Sequence, residues 1–213
     1  SGEVDLSGIG YQNDWLLLQI GRGRQSWGSG SDIQLALSDA SAAYDHSLFG
    51  LDFKHLRYRY MHGFLDSDSV GYNRYIVSKG LEFSNLKYFV FSISEIVIYS
   101  GINRPIDLSY LNPLSTHLEI ELNDRQNLAG TKNGNAVWQL SLDWMINKYM
   151  RFSGNLVFDE IVIDQSERKL GKDHRTAHSL KISHKLFNKL QLNIIGYISS
   201  IKVGSLTFRH GDG

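Results

Sequence analysis

The run Ala136-Val137-Trp138-Gln139-Leu140-Ser141-Leu142-Asp143-Trp144-Met145-Ile146 places an apolar residue at every even position, while Gln139, Ser141 and Asp143 hold odd ones. A period of two is the signature of a strand with one apolar face. The pattern repeats at once: Met150, Phe152, Gly154, Leu156 and Phe158 alternate with Arg151, Ser153, Asn155, Val157 and Asp159. Only Asn147, Lys148 and Tyr149 separate the two runs, which predicts a tight hairpin. An earlier run behaves likewise, with Leu56, Tyr58, Tyr60 and Phe64 on one side and His55, Arg57 and Arg59 on the other. In His178 to Leu186 the apolar face, Leu180, Ile182 and Leu186, is shared with His178 and His184.

These runs are about nine to thirteen residues long, against about five or six for strands of soluble domains. A tilted strand crossing a bilayer needs about nine to eleven. The expectation is an all-β protein: an antiparallel transmembrane outer-membrane β-barrel with roughly 8–10 strands present, residues 1–213 forming a single part of a larger barrel. Trp138, Leu140, Leu142, Trp144, Phe152, Leu156 and Phe158 then face lipid, where a charge at mid-depth would cost roughly 2–4 kcal/mol. Arg57, Arg59, Gln139, Asp143, Arg151 and Asp159 face a wet lumen.

Connection lengths agree with a barrel that alternates short turns and longer loops. Short ones are expected at Ser84 to Lys87, Asn147-Lys148 and Asn188-Lys189, and long polar ones at Leu65 to Gly71, Asp164 to Asp173 and 100–134. Parity requires the 100–134 stretch to leave and return on one side. Its strand-like piece His117 to Leu122 is thus an excursion or half of an extra hairpin, and Ile102 to Leu114, with Pro105 and Pro113, a structured loop with a short helical turn. Near the start, Trp15 to Ile20 reads as a strand and Ile33 to Leu37 as a second apolar piece.

The composition narrows the function classes. Lys+Arg 22 balances Asp+Glu 22 in 213 residues, so the basic excess of a general nucleic-acid binder is missing. With 42% hydrophobic and 21% charged residues the chain is too apolar for disorder. It has no cysteine, which removes disulfides and thiolate chemistry. No apolar run reaches the 18 or so residues of a helical span; the best, Phe89 to Tyr99, is interrupted by Ser92, Ser94 and Glu95. A start at Ser-Gly-Glu-Val-Asp-Leu and an end on glycines are expected of a piece of something longer.

Catalytic motifs are weak. The glycines between Gly21 and Gly30 fit neither a dinucleotide nor a phosphate-loop spacing, and read as a bend carrying Arg22, Arg24 and Trp27. His174 and His178 lack the further ligands a metal site requires. No G-x-S-x-G elbow marks a nucleophile. Asp159-Glu160 and the pair Glu119 and Glu121 are read as balancing Arg57, Arg59 and Arg151 rather than as glycosidase carboxylates. Asp159 and Glu160, being adjacent, share a face only where the strand ends or bulges.

A series of segments resembles the capsule assembly Wzi family of outer-membrane proteins: Leu17-Leu18-Gln19-Ile20-Gly21-Arg22, Trp27-Gly28-Ser29-Gly30, Leu35-Ala36-Leu37-Ser38-Asp39, Tyr44-Asp45, Ser94-Glu95, Ile98-Tyr99, Tyr110-Leu111-Asn112-Pro113, Glu121 to Asn127, and Asp159-Glu160. Ser29 stands where the family usually has proline, and Glu160 where a second aspartate is common.

The resemblance implies a large outer-membrane barrel that attaches or organises capsular or exopolysaccharide at the bacterial surface, lectin-like and without catalysis. It implies no cofactor, no metal and no nucleic acid; the partners are polysaccharide and the lipid bilayer. Sugars are held by aromatic faces and planar polar side chains, and acidic polymers add arginine contacts. The loop-borne candidates are Arg22, Arg24, Trp27, Arg104, Tyr110, Asn112, Arg125 and Asn127. The residues themselves leave open a porin or uptake channel, a soluble β-sandwich lectin and a barrel-embedded hydrolase.

Overall fold

A computed structural model of the chain describes residues 6–29, 34–65, 71–123, 134–160, 175–189 and 192–203. The first six strands are β1 (Ser7–Gln12), β2 (Leu16–Gly23), β3 (Tyr44–Phe53), β4 (Leu56–Leu65), β5 (Tyr72–Ser84) and β6 (Phe89–Ile102). Two short helices follow, α1 (Leu108–Leu111) and α2 (His117–Leu122). The chain then continues as β7 (Gly134–Asn147), β8 (Met150–Glu160), β9 (Arg175–Lys189) and β10 (Leu192–Val203). All ten strands form one open antiparallel sheet in chain order, with β1 and β10 at its edges.

Register turns the sequence alternation into continuous rows, because residues directly opposite each other share a face. Trp138 lies opposite Phe158, Leu140 opposite Leu156, and Trp144 opposite Phe152. One row runs Leu56, Phe83, Phe91, Leu142, Gly154, Leu180 across β4 to β9. The next runs Tyr58, Leu81, Ile93, Leu140, Leu156, His178. The gap left by Gly154 is filled by Phe152 and Leu180, which a Cβ there would meet at 3.1 and 3.0 Å. All seven residues expected to face lipid sit on this one face of the sheet, labelled the outer face below. Among the described residues no second sheet covers them: Trp144 is 44% and Leu156 42% exposed, and the other five are partly exposed.

Gln139, Ser141, Asp143, Arg151, Ser153 and Asn155 point to the opposite, inner face. Asp159 sits where the β8–β9 register shifts between Phe158 and Glu160.

The connections 13–15, 54–55, 85–88 and 148–149 are short and share one end of the sheet, while 24–43, 66–71, 103–133 and 161–174 are longer and share the other. The expected excursion between β6 and β7 is therefore present, and α1 is its short helical turn. The strand-like piece His117 to Leu122 is corrected: it is α2. Alternating apolar residues on a helix lie about 200° apart, so Ile120 is buried while Leu118 is exposed. Thr116 starts the helix, its Oγ1 accepting from the Glu119 N–H at 3.2 Å.

The long 24–43 connection folds back over the inner face. Trp27 N–H donates to the Leu37 carbonyl at 3.1 Å. Leu37, with Trp27 and Leu35, packs on Leu48, Met61, Ile76, Ile96, Val137 and Val157. One half of the inner face is thus a dry core, and the other is polar.

Candidate functional site

Between β4 and β7 the outer face carries one charged pair, Lys79 and Glu95, opposite each other on β5 and β6. Nζ lies 3.1 Å from Oε2, and the side chains are 8% and 2% exposed. Burying two charges is tolerable only when their remaining hydrogen-bonding capacity is met. The 103–123 connection supplies one further partner to each. Lys79 Nζ donates to the Ser115 carbonyl, and the His117 N–H donates to Glu95 Oε1 at 3.0 Å.

Tyrosines of the strands bind the rest of this roof. Tyr58 donates to the Pro113 carbonyl, Tyr60 to the Tyr110 carbonyl at 2.8 Å, and Tyr75 to the Arg104 carbonyl at 2.8 Å. Beneath them His62 is held between Tyr60 (3.3 Å from Nδ1) and Tyr99 (3.1 Å from Nε2). Tyr60 gives its proton to Tyr110, and Tyr99 already accepts the Asp107 N–H at 3.3 Å. One neutral tautomer, with the proton on Nδ1, satisfies every partner.

Rings then stack outward, Tyr75 on Tyr99 at 4.8 Å, Tyr99 on Tyr110 at 4.6 Å and Tyr110 beside His117 at 5.8 Å between centroids. Arg104 lies 4.9 Å over the Tyr99 ring and 3.4 Å from Asp107. His117 belongs to the connection and not to a strand. Burial first, then the positive charges of Lys79 and Arg104, bring its pKa down from 6.5 to about 4, so it is neutral beside the Tyr110 hydroxyl, 2.6 Å from Nδ1.

On the inner face, Trp27-Gly28-Ser29 docks onto β7 and β8. Gly28 has φ +134°, and a Cβ would collide with the side chains of Gln34, Gln139 and Asn155. Gln139 Nε2 donates to the Trp27 carbonyl at 3.0 Å. Ser29 makes a double clamp: its N–H donates to Asn155 Oδ1 at 2.7 Å, its Oγ to the Gly154 carbonyl at 2.8 Å, and its carbonyl accepts from Asn155 Nδ2 at 2.8 Å. A proline here would have neither the N–H nor the hydroxyl.

Next to this dock a cleft of about 490 Å³ is lined by Arg57, Glu82, Asp143, Arg151 and Lys181 together with Ser92, Ser141 and Ser153. Arg57 bridges Asp52 and Glu82 at 3.0 and 2.7 Å. Arg151 forks onto Asp143, with Nε to Oδ1 at 2.7 Å. Arg59 instead lies over Gly50, directly opposite it, where a Cβ would strike the guanidinium. The carboxylates balancing Arg57 and Arg151 are therefore Asp52, Glu82 and Asp143. The side chains of Glu121 and Glu160, which the sequence reading offered for this role, lie outside the described residues.

The polysaccharide candidates among the described residues do not form one cluster. Arg22 and Arg24 line a cleft of about 760 Å³ beside β1 and β2, and Arg22 pairs with Asp45 at 3.5 Å. Trp27 packs against the inner core. Asn112 is exposed, but its amide donates to Ser115 Oγ at 2.9 Å and its Oδ1 accepts the Leu114 N–H at 3.0 Å. Arg104 and Tyr110 are corrected: both are fully buried, committed to the roof and out of reach of a polymer at the surface. Arg125 and Asn127 lie outside the described residues, as does His174; His178 is on the outer face.

Lys79, Glu95, His62 and the roofing tyrosines were missed. Their signal was available: Lys79 and Glu95 each interrupt a strand's apolar row. Comparison of the chain with protein-family models, with curated proteins and with solved structures finds no match in any of the three, so the resemblance to the Wzi family stands on the quoted motifs.

Proposed function

We propose that this chain is part of a bacterial outer-membrane β-barrel that binds or organises capsular or exopolysaccharide at the cell surface and catalyses no reaction. The observation that carries the membrane reading is the outer face: one apolar row six strands wide and a second that is apolar over five, open to the surroundings, with polar and charged side chains directly behind them. A soluble sandwich would bury that face under a second sheet. Fourteen residues, as in β7, reach about 46 Å at about 3.3 Å each, enough to cross a hydrocarbon core of about 30 Å at a steep tilt.

The polysaccharide reading draws on the Wzi-like motifs and is compatible with the arginine- and serine-lined inner cleft. A porin or uptake channel is the second reading, favoured by that same polar half; the 24–43 segment packed over the other half supports binding over conduction.

The test is made on the full-length protein. Recovery from outer membranes only with detergent, together with loss of surface polysaccharide in a deletion strain, is the expected result. A monodisperse monomer without detergent would overturn the membrane reading, and open ion-conducting pores in planar bilayers would favour the channel.

A further inference from the structure

The roof is inside out for a water-exposed loop. Between 103 and 118 its ionisable side chains Arg104, Asp107, Tyr110 and His117 are all buried, and Glu119, just beyond, is half-buried. From Ile102 to Leu118 the exposed side chains are apolar except for Asn103 and Asn112. Leu108 is 70%, Leu114 82% and Leu118 60% exposed, and no exposed charge stands among them. Surface loops ordinarily carry charged and polar tips, and a cluster of exposed leucines marks contact with something apolar.

The roof lies on the same face as the apolar rows. Its contacts are to Tyr58, Tyr60, Lys79 and Glu95, and Leu81, Ile93 and Leu140 occupy the next row. Without it, that row would give way to a patch holding an ammonium, a carboxylate and several phenol hydroxyls. With it, those groups are satisfied underneath and leucines take their place on the outside.

We infer that the 103–118 segment is a lipid-facing flap, its leucines seated among acyl chains of the bilayer leaflet on the long-loop side. This inference rests on the membrane reading and adds a specific lipid contact to it. The flap continues the hydrophobic belt past the point where the strands themselves turn polar.

Residues 1–213 hold no cysteine, so single-site spin labelling needs only the replacement by serine of any cysteine elsewhere in the full-length protein. The full-length protein is reconstituted in phosphatidylethanolamine–phosphatidylglycerol vesicles, with nitroxides at Leu114→Cys, Leu118→Cys, Leu142→Cys in the belt and Lys148→Cys in a short turn. The expected result is that labels at 114 and 118 collide with dissolved oxygen and are shielded from a water-soluble nickel chelate, as at 142 and unlike 148. If 142 is shielded while 114 and 118 match 148, the flap proposal is overturned and the membrane reading survives. Should 142 also be open to the chelate, both fall. Leu114 and Leu118 are exposed, so neither replacement disturbs the core.

Discussion

Lys79 and Glu95 face each other across β5 and β6 as the one charged pair of the outer face between β4 and β7 among the described residues, and each is capped by a separate backbone group of the roof, Ser115 and His117. A charge left alone in such a place loses far more than a bridge. Lys79→Met and Glu95→Leu are each expected to lower stability by about 3–5 kcal/mol. The double variant should recover most of that, remaining about 1–2 kcal/mol short because the Ser115 carbonyl and His117 N–H lose their partners. Urea unfolding of the detergent-folded protein measures all three; strictly additive losses would refute the coupling.

Ser29 offers a graded test of the inner dock. Ser29→Ala removes the hydroxyl's bonds to Gly154 and keeps the N–H to Asn155, a loss of about 1–2 kcal/mol. Ser29→Pro removes the N–H as well and should roughly double that loss. Hydrogen exchange at Trp27 and Gly28 reports it, and equal protection in all three proteins would count against the clamp.

Acid should loosen the roof through His117. Above pH about 6.5 the residue is neutral whether the roof is folded or open; between 6.5 and about 4 only the open form takes up a proton. Stability therefore falls as the pH drops through that window and levels off below it. The full effect is on the order of 3 kcal/mol for a displacement of this size. His117→Gln should abolish this component, read as the difference between the two proteins' pH profiles of protease resistance near Ser109.

The two faces should tolerate charge unequally. Leu142→Arg puts a guanidinium on the apolar row and is expected to cost roughly 2–4 kcal/mol of folding in vesicles. Ser153→Arg, in the inner cleft beside Asp143, should cost under about 1 kcal/mol. Similar losses at both positions would mean that the outer face is not against lipid.

Much of this was legible in advance where one period governed a long run. In β7 and β8 the alternation fixed strand, face and hairpin together, because a period of two over more than ten residues fits no other element. The stretch from His117 to Leu122 was different. Six residues with Leu118, Ile120 and Leu122 alternating satisfy a strand pattern, and the helix was announced instead by Thr116 and Glu119 at capping-box spacing. Arg104 and Tyr110 misled for another reason. A polar residue in a proline-bearing loop reads as exposed, and only the tertiary demand of Tyr60, Tyr75 and Tyr99 for partners draws that loop inward. The carboxylates around Arg57 and Arg151 come from neighbouring strands, so strand register decides them and sequence spacing does not.

The placement of Lys79 has a consequence for assembly. Were β5 and β6 to zip together two residues out of step, the ammonium would meet Ile93 or Val97 and the carboxylate Val77 or Leu81, on a surface offering neither water nor counter-charge. The neighbouring apolar residues would barely notice such an error, since one of them resembles the next. The ion pair thus sets a penalty on every shifted alignment of this hairpin that its apolar neighbours alone would not impose.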